Sequence, residues 1–398
     1  MQSPQQENTV TSTPAVISDH RQPATSPAAP RPLYVGSDVF RRAAFGKNHP
    51  LKIVRHSTVL DLVRILGWLP DDDFRTSSPV TVSQLTEFHD LAYVEALQYA
   101  DSTGQVDPEI RSRHHIGTFE NPLFPGLFER AAMTVGGSIM AAELASEGHV
   151  VFHPSGGTHH GRPDRASGFC YFNDPVFAIR TFLKLGRERV LYVDLDAHHG
   201  DGVENAFVDE PRVMTLSIHE QDRWPYSGAA EDRRNGGARN LPVPRGCNDS
   251  ELDYLVQHAI LPLADSFSPD AMLICCGADC LAGDPLSGMM LSNVALWDTV
   301  EKLTAFKVAT VVLGGGGYNP WTVARYWTGM WGRLTGQAMP QQLPEEAQIM
   351  LRKMSCDLID EEDVEPAWLT SLVDSPYNGP VREAIKSLAA KVVADRQP

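Results

Sequence analysis

No stretch of this chain is apolar for long enough to span a bilayer. The start, Met1-Gln-Ser-Pro-Gln-Gln, lacks the basic stretch and apolar core of a secretory leader. A cytoplasmic protein with no membrane partner is expected. Cysteine is scarce and unpaired in pattern: Cys170, Cys247, Cys275, Cys276, Cys280 and Cys356 include no CxxC pair. Cys275 and Cys276 lie inside an apolar run, where cysteine acts as a small hydrophobe. Free thiols in a reducing compartment are therefore expected, not disulfides. Basic residues are also short, 34 Lys and Arg against 50 Asp and Glu, a formal charge of −16. That field repels a phosphate backbone, so nucleic acid is not expected as a direct partner. It suits a cationic partner instead, such as a lysine-rich segment or a polyamine. There is no internal repeat.

What is present is ordinary globular composition, 42% hydrophobic and 21% charged over 398 residues. Residues 1–32 are rich in Pro, Ser, Thr, Ala and Gln, and are expected to be a disordered tail. From Tyr34 the composition turns globular. Short β-branched runs appear at His149–Phe152, Val190–Val193, Val213–Ile218, Ala271–Cys276 and Val308–Leu313. Amphipathic stretches separate them, among them Leu127–Glu147 and Glu251–Phe267. Continuously apolar strands alternating with helices predict an α/β fold, a mostly parallel sheet covered on both faces. Residues 33–335 are expected to form the catalytic domain, with 336–398 a helical extension packed on it.

Each predicted strand runs into polar or glycine-rich chemistry. Phe152 leads to His159 and His160, Val193 to Asp194, Asp196 and His198, Ile218 to His219, Cys276 to Asp279, and Leu313 to Gly314-Gly-Gly-Gly-Tyr318. Ligands of open α/β sheets bind beyond the carboxyl ends of the strands, so these segments converge on one rim. Asp194, Asp196 and His198 are spaced by two, which on extended chain turns them to one face. With Asp279 as a further oxygen ligand, two carboxylates and one histidine leave an open position for catalysis. Zinc is the first expectation, and iron(II) fits the same oxygen-rich set. A two-metal site would want a carboxylate at position 200, which is glycine. His159 and His160 titrate near neutrality and suit acid–base work, with Asp194 and Asp201 available to orient them. His114-His115 repeats the dipeptide without any such surroundings and is assigned no role. The glycine run lacks the Lys-Ser/Thr of a phosphate loop, and Tyr318 after it could donate to a developing oxyanion.

Taken together, the motifs His153–Gly161, Ser167–Asp174, Tyr192–Glu204, Gly277–Leu286 and Leu313–Asn319 resemble the histone deacetylase family, in its class I and bacterial acetoin-utilisation branch. The resemblance covers roughly residues 33–335 in family order. It implies an arginase/deacetylase-type fold with a single parallel sheet. It assigns a catalytic Zn2+ to Asp196, His198 and Asp279. It makes His160, paired with Asp201, the general base and acid, and His159, paired with Asp194, its electrostatic partner. Tyr318 would polarise the scissile carbonyl. Gly168 and Phe169 would line a narrow tunnel for the lysine chain, and Leu286 is placed with the substrate-binding residues. A structural potassium (K+) site matches Asp194, Asp196, His198, Ser217 and Ile218, mostly through backbone carbonyls. Two positions depart from the pattern. Trp224 stands where the family has a second tunnel phenylalanine, and Glu120 stands for a rim aspartate that holds the substrate backbone.

The expected activity is metal-dependent hydrolysis of the amide of N6-acetyl-lysine, or another acyl-lysine, in a protein substrate. One rival is an acetylpolyamine amidohydrolase, with the same chemistry on a free cation. The other is a non-catalytic acyl-lysine binding module, which should lack the tyrosine, a histidine or a metal ligand. Oligomeric state is not legible.

Overall fold

The five apolar runs become the centre of one sheet. In the computed structural model, which describes Met1 and residues 30–42, 44–46 and 48–394, the strands are β1 Leu33–Gly36, β2 Phe74–Thr76, β3 Val150–His153, β4 Val190–Asp194, β5 Val213–Glu220, β6 Ala238–Val243, β7 Ala271–Cys275 and β8 Ala309–Leu313. Their order is β2-β1-β3-β8-β7-β4-β5-β6, and every pairing is parallel. The expected tail 1–32 lies outside the described residues, apart from Met1 and residues 30–32.

The central strands read as unbroken apolar runs because both faces are covered. In β4, Leu191 and Val193 enter one core while Val190 and Tyr192 enter the other. The helices His56–Ile65, Asn293–Thr304, Pro320–Leu334 and Glu383–Ala394 cover the first face. Leu127–Ser146 and Asp174–Lys184 cover the second. Side chains at period two thus bury on alternate faces, each aliphatic contributing ~1.5–3 kcal/mol. The stretch expected to be helical over 251–267 is one continuous run, Asp249–Leu255, a single π turn Val256–Ile260, then Leu261–Phe267. A capping box at its start explains the boundary: Asn248 accepts from the Glu251 N–H, and Glu251 reaches back to the Asn248 N–H.

Three strands escape the sequence pattern. β1 and β2 have four and three residues, too few to show a period. β6 reads Ala-Arg-Asn-Leu-Pro-Val and lies at an edge, where proline removes no needed hydrogen bond. Beyond residue 336, Leu343, Ala347, Leu351, Trp368, Leu372 and Ile385 join the first core. Arg325, fully buried, ties this segment down through Asp374 (2.6 Å) and the Ser371 carbonyl (2.6 Å).

The register sets the site. His153, Leu313, Cys275, Asp194 and Ser217 lie in one row across five adjacent strands. The loops that leave this row all start at the same height.

Candidate metal centre and acid–base site

Asp196 and His198 follow β4, and Asp279 follows β7, so strand adjacency brings them together. One ligand atom from each lies within 4.8 Å of the others, and all three residues are buried. His198 Nδ1 points between Asp279 Oδ2 (2.9 Å) and Asp196 Oδ1 (3.3 Å). The free oxygens are held from behind: Gly316 N–H donates to Asp196 Oδ2 (2.6 Å) and Ala197 N–H to Asp279 Oδ1 (3.0 Å). No lysine or arginine pairs with either carboxylate among the described residues. Two buried carboxylates with no lysine or arginine beside them, together with one imidazole, form a donor set that suits a bound metal ion. A second grouping, His159, Asp196 and Cys275, shares Asp196. Its other members are engaged elsewhere, His159 on Asp194 and the Cys275 thiol on the Gly314 carbonyl (3.3 Å).

The loop after β3 delivers the two histidines. His159 Nδ1 meets Asp194 Oδ2 at 2.8 Å, and His160 Nδ1 meets Asp201 Oδ1 at 2.8 Å. Both dyads are buried. Each leaves Nε2 free to turn toward the cluster; His159 Nε2 is 3.8 Å from Asp196. The ring of His160 lies 6.3 Å from that of His198. Burial opposes charge on His159, but Asp194 and Asp196 outweigh it and raise the ring to about 9. Burial and the neighbouring His159 instead push His160 down to about 4. The two neighbouring rings are thus pushed in opposite directions, His159 toward holding a proton and His160 toward the neutral form.

Supporting contacts go beyond the residues legible in the sequence. Tyr192 donates to Asp194 Oδ2 (2.7 Å), and Arg162 pairs with Asp201. Asn173 caps the helix Asp174–Lys184 and donates to the His159 (3.1 Å) and Gly161 (3.0 Å) carbonyls. Asp284 accepts from the backbone N–H of Tyr318 (2.7 Å) and of Asn319 (3.3 Å). Tyr318 is thereby held at the start of the helix Pro320–Leu334. Asp284 lies in the Gly277–Leu286 motif, but nothing in one sequence marks it as a backbone acceptor. A side chain at Gly200 would land on the Asp194 carboxylate, so a carboxylate ligand there has no room.

The residues expected to line a tunnel lie near the two histidines and Tyr318. The Trp224 ring packs edge-on to His160 (4.6 Å) and 6.3 Å from His198, and Phe169 packs edge-on to Tyr318 (5.8 Å). Gly168 and Phe169 both have positive φ, +54° and +67°, and a Cβ on Gly168 would run into the Trp224 and His160 rings. This strained pair is pinned from the rim: Glu120 Oε1 accepts from Gly168 N–H (3.1 Å) and Asn121 Oδ1 from Phe169 N–H (3.0 Å). One oxygen of Glu120 is thus engaged with the Gly168 backbone. Leu286 is half-buried in the loop after Asp279, its N–H on Asp284 Oδ1 (2.9 Å). Among the residues matched to a potassium site, Asp194 and Ser217 are register partners and Ile218 is next in β5. His114, in contrast, ends the helix Pro108–His114 and is tied to the Asp164 carbonyl (2.6 Å).

Comparison with known proteins decides the family. The histone deacetylase domain model matches residues 49–334. The chain belongs to the histone deacetylase family. Acetoin utilization protein AcuC of Bacillus subtilis is 31% identical over 330 residues, which is 79% of this chain and 84% of that protein. Histone deacetylase 2 of Oryza sativa subsp. japonica is 35% identical over 310 residues, 75% of this chain but 60% of that longer protein. The crystal structure of an HDAC homolog from Aquifex aeolicus superposes with a TM-score of 0.86 at 33% identity, covering 91% of this chain and all of that one. An HDAC homolog complexed with SAHA gives a TM-score of 0.87. The fold is therefore the arginase/deacetylase-type fold of the histone deacetylase family, and the chain is a hydrolase of that family. No helix among the described residues is long and apolar enough to cross a membrane.

Proposed function

We propose that this histone deacetylase family member hydrolyses the amide of N6-acetyl-lysine, or of another N6-acyl-lysine, in protein substrates. The observation that carries the reading is the meeting of two His–Asp dyads, a three-ligand cluster and Tyr318, with Trp224 packed on His160 and Phe169 on Tyr318. Asp196, His198 and Asp279 would hold zinc, with iron(II) as the alternative. Such an ion, when bound, polarises an acyl carbonyl and lowers the pKa of water. His160 takes the proton of the attacking water through Nε2, while Asp201 fixes its Nδ1 side. Tyr318 donates its hydroxyl to the oxygen that gains charge. His160 then returns the proton to the leaving lysine nitrogen. His159, oriented by Asp194, supplies positive charge alongside. The lack of room at Gly200 supports one catalytic ion per chain. A structural potassium ion would sit at Asp194, Asp196, His198, Ser217 and Ile218.

A purely binding module is disfavoured, since every part of the acid–base set is present. Substrate class is tested by kcat/KM on acetyl-lysine peptides and on monoacetylated polyamines, side by side. Preference for the peptide is expected. Preference for the polyamine would replace the protein-substrate reading with the polyamine one.

A further inference from the structure

Tyr226 is the most exposed aromatic side chain among the described residues, at 78%. Its φ is +61°, in the left-handed region that bulky residues seldom enter. Strain of that kind persists only where the surroundings hold it, and both flanks of Tyr226 are fastened. Trp224 packs on His160 (4.6 Å), and Arg223 is committed to Glu220 and to the Leu286 carbonyl (2.8 Å). On the other side the Ser227 hydroxyl donates to His199 Nδ1 (2.8 Å), and His219 Nε2–H donates to the Gly228 carbonyl (3.0 Å). The loop is tied to the site while the Tyr226 ring is left in solvent.

Tyr226 and Asp222 line a cavity of about 480 Å³, inside the ~300–1,000 Å³ range of small-ligand clefts. Pro242, Pro244 and Leu388 supply apolar wall. Glu231 and Lys391, which also line it, pair with each other. Asp222 is exposed and pairs with no cation among the described residues. Two residues of chain span at most ~7 Å, so a peptide whose acyl-lysine reaches His160 past Trp224 runs close to Tyr226.

We propose that Asp222 and Tyr226 form a subsite for a substrate residue flanking the acyl-lysine, and that this subsite takes a cationic side chain, arginine or lysine. The subsite presupposes the hydrolase reading above and adds the sequence class of its protein substrate. An exposed ring face attracts a guanidinium or ammonium group, and a carboxylate on the same cavity pairs with that charge. The prolines and Leu388 suit the methylene stem of either side chain. The net charge of −16 draws cationic chains in general. A local subsite does more, because it favours a cation at one flanking position over its neighbours.

The test uses the metal-loaded full chain and one acetyl-lysine peptide. Arginine or citrulline, which match in shape and differ in charge, is placed in turn at each of the two positions on either side of the acetyl-lysine. At one position the arginine-to-citrulline ratio of kcat/KM should reach about fivefold to tenfold, the scale of an exposed cation–π contact joined by a surface ion pair. The other positions should stay near one at physiological salt, where exposed charges more than ~8 Å apart are screened. Tyr226→Leu and Asp222→Asn should each lower the favoured ratio about threefold, the share of one such contact. Ratios near one at all four positions overturn the subsite and leave the deacylase reading standing, even if neither variant folds. So does an arginine preference that survives both variants. If no peptide is turned over, the hydrolase reading falls and takes the subsite with it.

Discussion

His89 couples stability to pH through a single proton. It is buried; its Nδ1–H donates to the Arg162 carbonyl (2.9 Å), and its Nε2 accepts from the Asn173 N–H (3.1 Å). Both ring nitrogens are used, and only the neutral ring can make both bonds. Protonating Nε2 would set one N–H against another. Burial accordingly lowers the ring from 6.5 to about 4, with the Arg162 and Pro163 backbone opposing only in part. That drop corresponds to about 3 kcal/mol of folding free energy. Between these values the unfolded chain binds a proton that the folded chain does not. The contribution is therefore complete above about pH 6.5, is lost as pH falls, and levels off below about 4. Urea unfolding of wild type and His89→Gln across this range provides the measurement. Other histidines titrate in both proteins and cancel in the difference. The wild-type advantage should shrink by up to about 3 kcal/mol from neutral to acid pH. Parallel pH profiles would refute the buried-neutral assignment. Asn173 also holds the His159 and Gly161 carbonyls, so activity at neutral pH should fall in the variant as well.

Tyr318→Phe keeps the ring and removes one oxyanion donor, so kcat on an acetyl-lysine peptide should fall on the order of 10²–10³; a wild-type rate would end its assigned role. His160→Ala should retain less activity than His159→Ala, because only His160 handles protons in both steps, and equal residual rates would contradict that division. Chelation should abolish turnover and zinc restore it, with one transition-metal ion per active chain by elemental analysis; two ions would remove the one-metal reading. Glu120→Ala loses the bond that pins Gly168 as well as any bond to a substrate backbone. It should lower kcat/KM on the peptide by roughly 1.5–3 kcal/mol, and on a small monoacetylated diamine much less if the backbone clamp dominates. Equal loss on both would assign Glu120 to the tunnel wall alone.

Local pattern determined the central strands, the long helices and the convergence of chemistry on one rim. Continuous β-branched runs alternating with helices fit strands buried on both faces of a parallel sheet, and the two-residue spacing of Asp194, Asp196 and His198 is a local property of extended chain. Pairings between loops were legible only through family resemblance, since which carboxylate meets which histidine depends on strand order, β3-β8-β7-β4-β5. Short elements such as β2, and an edge strand with a proline such as β6, carry too few residues for a period to emerge. Asp284, Asn173 and Asn121 look like ordinary loop polar residues until the backbone N–H or carbonyl groups they hold are brought to them. Arg55 and Arg130 give the plainest case. On the chain they are two surface-type cations far apart, at the start of one helix and inside another, and only the packing of those helices brings both to one cavity that no carboxylate lines. Pattern within a segment reports which face is buried; what stands opposite that face is a property of tertiary contact alone.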